Sequence, residues 1–452
     1  MSDTRAIAEA VVGLRFETLP DAVVEAARRS ILDGFANMLA GSQQPLAGPL
    51  LAHLSEWSTG TATIAGHRAT ADPFSAAFAN GIFCHSLDFE VMWVPPTHPT
   101  SPTLPALLAL AEARPPVSGR DLITALVASF ELQSHLGRCI VETGRQWPHG
   151  YHPPGLVGPF GSAAASGRIL DLDVGGMVQA FGIAASRAGS LMANTGTMTK
   201  SSHCGHAARM GLESALLAHK GYTSAEGIIE TRNGFSDAFF DDALDVSSIA
   251  PRFGQPFRMV DPGLAMKKYP SQYPTHWSID AALDIHGQAG FDPSRIATID
   301  VRVGADNESA VTTRPTTGLA GKFSITYTVA AALLDGRVDI DTFTDERLAA
   351  SDLQRLLPVV AITLDPDIRA MDFSAAWSEV TVTSDDGHTF VARVDRPLGI
   401  WDNPLPWDGW VDKYRSCARR AIPEDRAERL LELVSTIETL EDVSSMLPLL
   451  LP

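Results

Sequence analysis

Cysteine is scarce in this sequence: four residues, Cys84, Cys139, Cys204 and Cys417, lie far apart in 452, with no CxxC pair. That spacing excludes a disulfide framework and reads as reduced, mostly buried thiols. Positive charge is also short, with 35 Lys+Arg against 53 Asp+Glu and a net charge of −18. The balance argues against nucleic acid or an anionic membrane as the main partner. An anionic ligand would need its cations gathered locally. No stretch of about 18 uninterrupted apolar residues offers a membrane span. The charged, broken start "MSDTRAIAEAVVGLRFETLP" carries no signal-peptide core, so a cytoplasmic location is expected. Internal repeats, coiled-coil heptads and low-complexity tracts are missing as well.

Signatures of common enzyme classes are absent too. There is no GxSxG elbow and no GxGxxG after a strand, so hydrolase and dinucleotide-binding readings lack support. "NTGTMTKSSHCGHAARMG" (194–211) places serine after Lys200, as a phosphate loop does. The glycines that would let backbone amides reach a phosphate are replaced by Thr199 and Asn194. His203, Cys204 and His206 lack a second ligand cluster with zinc-like spacing, so no metal is expected.

What is present is apolar material, 45% of residues, enough for a large core and two or three domains at this length. Up to about residue 264 apolar residues recur every three or four positions, as in "DAVVEAARRSILDGFANMLAG" and "GRDLITALVASFELQSHLGRCI", which predicts a large all-helical domain over 1–264. After the Pro/Gly-rich "RFGQPFRMVDPGLAMKKYPSQYPTH" the texture changes. "IATIDVRVG" puts Ile299, Val301 and Val303 on one face, and "VVAITLD" and "SEVTVTSDDGHTFVARVD" follow, the last with an Asp386-Gly387 turn. Residues 265–397 therefore read as a small α+β domain with a mostly antiparallel sheet. The tail, 398–452, returns to helix.

Polar chemistry concentrates in four further stretches. "CHSLDFEVMWVPPTHPTSPTLPALLALAE" carries Asp88, Glu90 and His98 before a helix. "HGYHPPGLVGPFGSAAASG" carries His149, Tyr151 and His152. "MKKYPSQYPTHW" holds Lys267, Lys268, Tyr269, Tyr273 and His276, and "GKFSITYT" holds Lys322, Ser324 and Tyr327. Loop-to-helix junctions offer amide-rich helix N-termini that favour anions. With Lys200, Lys267, His98 and His152 they compose a local cationic site, for which a small polycarboxylate is the natural ligand. Histidine, a lysine among other cations and a carboxylate also supply acid/base groups.

The motifs "LDFE…HPT", "GYHPPGLVGPFGSAAA", "GTMTKSSHCGHAAR" and "KKYPSQYPTH", in that order across essentially the whole chain, resemble the 2-methylcitrate dehydratase (MmgE/PrpD) family. That family includes 2-methylcitrate dehydratases, cis-aconitate decarboxylases and an iminodisuccinate epimerase. The resemblance implies a large helical domain formed by both chain ends and a smaller α+β lid, with the active site between them. It also implies a homodimer that requires no metal or cofactor. It puts Asp88, His98 and Lys200 at catalytic positions and His152, Lys267 and Tyr327 at substrate-binding ones. Lys267 is preferred to Lys268 because it lies two residues before Tyr269-Pro270. His149 reads as structural or at the rim, and His203, Cys204, His206 and Arg209 as supporting residues. The chain has "DFEVM" where the family has a "DFDDT" pattern, and Val91 and Met92 are expected to make the pocket wall more apolar. The implied activity is that of a cofactor-independent dehydratase or decarboxylase of a small di- or tricarboxylate. A two-base epimerase and a non-catalytic carboxylate-binding protein remain open alternatives.

Overall fold

The computed structural model describes residues 2–93, 97–143, 150–310, 312–370 and 372–452, the side chain of Glu308 excepted. Nine helices of the first part, α1 to α9, are Asp3–Gly13, Asp21–Gly41, Ala47–Trp57, Pro73–Ser86, Thr100–Ala113, Gly119–Glu142, Pro153–Ile169, Val174–Ala185 and Met198–His219. A short antiparallel pair, β1 (Ala62–Thr63) and β2 (Thr70–Ala71), interrupts what the apolar periodicity predicts to be wholly helical. Its strands are two residues each, too short to leave an alternating pattern.

The small residues in these helices bring backbones together. Gly81 on α4 faces Gly205 on α9: a Cβ on Gly81 would lie 2.8 Å from the Gly205 Cα, and a Cβ on Gly205 would lie 2.3 Å from the Phe78 carbonyl oxygen. Only glycine allows this approach, and it sets the end of α4 beside the start of α9.

The second part holds a four-stranded sheet, β3 (Ile296–Gly304), β4 (Val360–Asp365), β5 (Ser378–Ser384) and β6 (Thr389–Val394), in the order β4-β3-β5-β6. Ile299, Val301 and Val303 are buried on one face. They share a core with Val380, Val382 and Phe390 and with the helices His276–His286 and Ile325–Asp335. β3/β5 and β5/β6 are antiparallel, but β3/β4 is parallel, so the sheet is mixed. Side-chain alternation reports a buried face and not the direction of the neighbouring strand.

The C-terminal helices Trp407–Ala418 and Glu424–Ser435 rejoin the first part. Tyr414, Cys417, Leu430, Val434 and Met446 share a core cluster with Ile31, Phe35, Leu39 and Leu104. Lys413, paired with Asp33 on α2 at 2.6 Å, donates to the Lys267 carbonyl at 3.0 Å. Among the described residues no helix is long and apolar enough to cross a membrane.

Candidate active site

Four pieces of chain meet around Asp88. Helix α4 ends at Ser86, and Asp88 takes a left-handed backbone (φ 50°), a conformation aspartate tolerates better than most residues. Its amide closes the turn onto the His85 carbonyl at 3.0 Å. Four residues on, Met92 and Ala265 exchange two backbone hydrogen bonds of 2.9 Å, which lays the 265–267 segment along the Asp88 segment. Lys267 then reaches the Asp88 carboxylate, the Asp88 carbonyl (2.9 Å) and the Ser271 carbonyl (3.0 Å). From α9, Lys200 donates to the other Asp88 oxygen at 2.7 Å. Lys322 approaches from the second part of the chain and donates to the Leu87 (3.0 Å) and Pro270 (2.9 Å) carbonyls.

The histidines complete the cluster. His98 Nε2 lies 4.0 Å from Asp88, while its Nδ1 has no hydrogen-bond partner among the described residues. His152 occupies the N-cap position of α7 without capping it through its side chain; its ring faces His203, with the two Nδ1 atoms 3.2 Å apart. His85, in the last turn of α4, lies between them, with ring centroids 4.7 Å from His98 and 5.4 Å from His152.

All these groups are buried, so their charges are set by competition between desolvation and neighbours. Burial pushes Asp88 up, yet Lys200 and Lys267 together hold it well below the usual carboxylate range. Burial lowers Lys267 to about 8 despite its pairing with Asp88, and lowers Lys322 to about 7. Burial, reinforced by Lys200, holds His85 and His152 well below their ordinary value; for His98 the reinforcing cation is Lys267. Burial also raises Glu90 to about 8, although Ser101 donates to it from both N–H (2.8 Å) and Oγ (2.7 Å). Lys267, Lys322 and Glu90 are thereby brought into one range near neutrality, and the site's lysines outnumber its one permanently ionised carboxylate, Asp88.

Of the six residues singled out from sequence, the structure brings Asp88, His98, His152, Lys200 and Lys267 into this one cluster. Tyr327 is the exception. Its hydroxyl donates to the Thr342 carbonyl and its ring packs in the core beside the sheet with Phe343, so the hydroxyl is engaged outside the Asp88 cluster. Lys268 pairs instead with Asp280 at 3.2 Å. Lys200 sits in the first turn of α9 rather than on a loop, because Thr197 is already extended and opens the helix. An ammonium at the positive end of a helix gains from a nearby carboxylate, here Asp88. The N-terminus of α5 is likewise already filled, by Glu90. Val91 and Met92 do not face the cluster as a pocket wall: Val91 packs with Met266, Leu405 and Trp410, and Met92 with Tyr273, Trp277 and Phe373. His149 lies outside the described residues.

Two site residues were missed. His85 reads from sequence as one more position in an apolar helix, and Lys322 stood in a polar stretch without a role. For His85 the signal is a titratable side chain inside an otherwise apolar helix; for Lys322 it is a buried lysine within the polar motif "GKFSITYT". His85, Glu90 and Cys204 also bring donor atoms within 4.8 Å of one another, close enough to hold a metal. The first two already bond to each other at 2.7 Å, and burial pushes the Cys204 thiol well up, so these donors are arranged as a hydrogen-bond network. A groove of about 290 Å³ lined by Arg29, Trp401 and Trp410 contains none of the clustered lysines or histidines.

Comparison with known proteins agrees along the whole chain. Residues 5–246 match the MmgE/PrpD N-terminal domain and residues 269–439 the MmgE/PrpD C-terminal domain. The chain is 32% identical to the cis-aconitate decarboxylase of Homo sapiens over 459 residues, covering 99% of this chain and 94% of that protein. It is 31% identical to that of Mus musculus over 99% of this chain and 93% of the relative. The 2-methylcitrate dehydratase of Cupriavidus necator is 24% identical over 92% of the chain and 90% of its own length. The chain belongs to the MmgE/PrpD family and is an enzyme of its lyase type.

Proposed function

We propose that this protein is a cofactor-independent decarboxylase of a small tricarboxylate of the cis-aconitate kind. The observation that carries the reading is the buried cluster of Lys200, Lys267 and Lys322 around a single aspartate, with His98 and His152 alongside. Three lysines in one buried cluster suit a small multiply charged anion, and the relatives, which act on polycarboxylates, favour a carboxylate. The higher identity to cis-aconitate decarboxylases than to the 2-methylcitrate dehydratase favours loss of carbon dioxide over loss of water.

Such a decarboxylation breaks a carbon–carbon bond, releases carbon dioxide and takes up one proton at carbon. Negative charge develops beside a remaining carboxylate, and preorganised cations in a water-poor site stabilise it. In this reading His152, Lys267 and Lys322 hold carboxylates, and Lys200 or His98 exchanges the proton at carbon. Asp88 keeps the two lysines apart and oriented. Residues 265–397 serve as a lid whose Lys267 and Lys322 complete the site on closure, in a homodimer.

Proton NMR in deuterium oxide over a panel of tricarboxylates, dicarboxylates and amino-dicarboxylates tests this. Decarboxylation gives a deuterated product one carbon shorter, dehydration keeps the carbon count, and epimerisation exchanges deuterium alone. Lys200→Ala and His98→Ala should each lower turnover by roughly 10²–10⁴-fold. Full turnover in both would overturn the assignment.

A further inference from the structure

The pair that the cluster leaves without a task is His85 and Glu90. His85 Nδ1 is 2.7 Å from Glu90 Oε1, and its other nitrogen, Nε2, is 3.2 Å from Lys200 Nζ. The carboxylate is fixed by the Ser101 amide and hydroxyl at the start of α5, and the imidazole by the last turn of α4. One ring therefore spans from a buried acid to the lysine assigned to carbon chemistry, with each nitrogen facing one of them.

Resting on the function proposed above, we infer that Glu90 and His85 form a proton relay that charges and discharges Lys200. In the discharging direction the Lys200 N–H bond breaks as His85 Nε2–H forms, and His85 Nδ1–H breaks as a Glu90 O–H forms. The imidazole stays neutral throughout, and an ammonium–carboxylate pair becomes an amine and a carboxylic acid. The reverse shift restores the ammonium. When Lys200 has given its proton to carbon, the Glu90 O–H bond breaks and the relay returns the proton to Lys200; Glu90 is then reprotonated from solvent, which supplies the one proton that each decarboxylation consumes.

Two further facts support this. Burial holds His85 well below its ordinary value, so a neutral imidazole is its stable form. Burial raises Glu90 to about 8, so this carboxyl can hold a proton near neutral pH and give it up. The other groups facing the relay are Asp33 from α2, Cys84 from α4, Asp88, His98, His152 from α7, Cys204 from α9 and Lys267. Lys322 faces Lys200 as well, and Lys267 and Lys322 titrate in the same range; the binding role proposed for both lysines places their effect in KM.

Glu90→Gln keeps the size of the side chain but cannot take a proton. The expected result is a loss of kcat of about tenfold or more with KM within about twofold, partial recovery in Glu90→Asp, and disappearance of the alkaline limb of the kcat–pH profile that the ionisation of Glu90 sets. Ser101→Ala removes a hydrogen bond to the carboxylate and so raises Glu90 further; the alkaline limb should move to higher pH. A Glu90→Gln enzyme with wild-type kcat and profile overturns the relay. If that variant does not fold, an unmoved limb in Ser101→Ala overturns it instead. Lys200→Ala and His98→Ala separate the two levels: full activity in both removes the proposed function itself, whereas an inactive Lys200→Ala beside a fully active Glu90→Gln removes only the relay.

Discussion

Replacing Asp88 by asparagine strands Lys200 and Lys267 beside a neutral amide. Removing one partner of a buried ion pair costs about 3–5 kcal/mol when the remaining charge stays ionised. Lys267 has an escape, because burial has already lowered it to about 8. Neutralising it at pH 7 costs one pH unit, about 1.4 kcal/mol. Adding about 1–2 kcal/mol for the charged hydrogen bonds lost gives a destabilisation of roughly 2.5–3.5 kcal/mol at pH 7. At pH 6 the neutralisation term doubles to about 2.7 kcal/mol, and the total rises to roughly 4–5 kcal/mol. At pH 9 Lys267 is mostly neutral in the wild type, so the term vanishes and about 1–2 kcal/mol remains.

The direction follows from proton linkage. A lysine lowered in the folded state binds fewer protons than in the unfolded chain, so stability rises with pH from the folded value up to the unfolded one. In Asp88→Asn the folded value falls further, and the rise begins at lower pH than in the wild type. Urea unfolding of both proteins at pH 6, 7 and 9, followed by circular dichroism, measures the difference. A destabilisation that stays constant from pH 6 to pH 9 would refute the idea that Asp88 is what keeps Lys267 charged.

Two other substitutions probe the scaffold. Tyr327→Phe leaves the Thr342 carbonyl without its donor and should lower stability by about 1–3 kcal/mol with KM unchanged; a KM raised tenfold or more would return Tyr327 to the binding site. Gly205→Ala forces a Cβ to within 2.3 Å of the Phe78 carbonyl and should cost about 1–3 kcal/mol in thermal unfolding. By parting α4 from α9 it should also reduce kcat, since Lys200 and His85 sit across that contact at 3.2 Å.

The helical and α+β textures were legible because each period reports a buried face: Ile299, Val301 and Val303 line one side of β3 as their spacing predicts. The parallel β3/β4 pairing was not legible, since a strand carries no mark of its neighbour's direction. Asp88, His98, His152 and Lys267 stand out because the motifs that carry them resemble those of the MmgE/PrpD family. His85 was hidden inside an apolar helix, and its link to Lys200, 115 positions away, exists only after α4 and α9 pack through Gly81 and Gly205.

The low affinity of Lys322 and Lys267 for protons ties ligand binding to proton uptake. With a value of about 7, Lys322 is about half protonated at pH 7, and Lys267, at about 8, is about nine-tenths protonated. A bound carboxylate beside each ammonium favours the charged form and draws both toward full protonation. Binding a polycarboxylate at pH 7 should therefore take up roughly 0.6 proton per site. At pH 8 the shortfall is about 0.9 for Lys322 and about 0.5 for Lys267, so uptake should rise to roughly 1.4. Calorimetry of a slow substrate analogue in two buffers of different ionisation enthalpy measures these numbers directly. Uptake that is absent, or that falls as pH rises, would mean that the lysines are not where the carboxylates bind, whatever the enzyme's reaction proves to be.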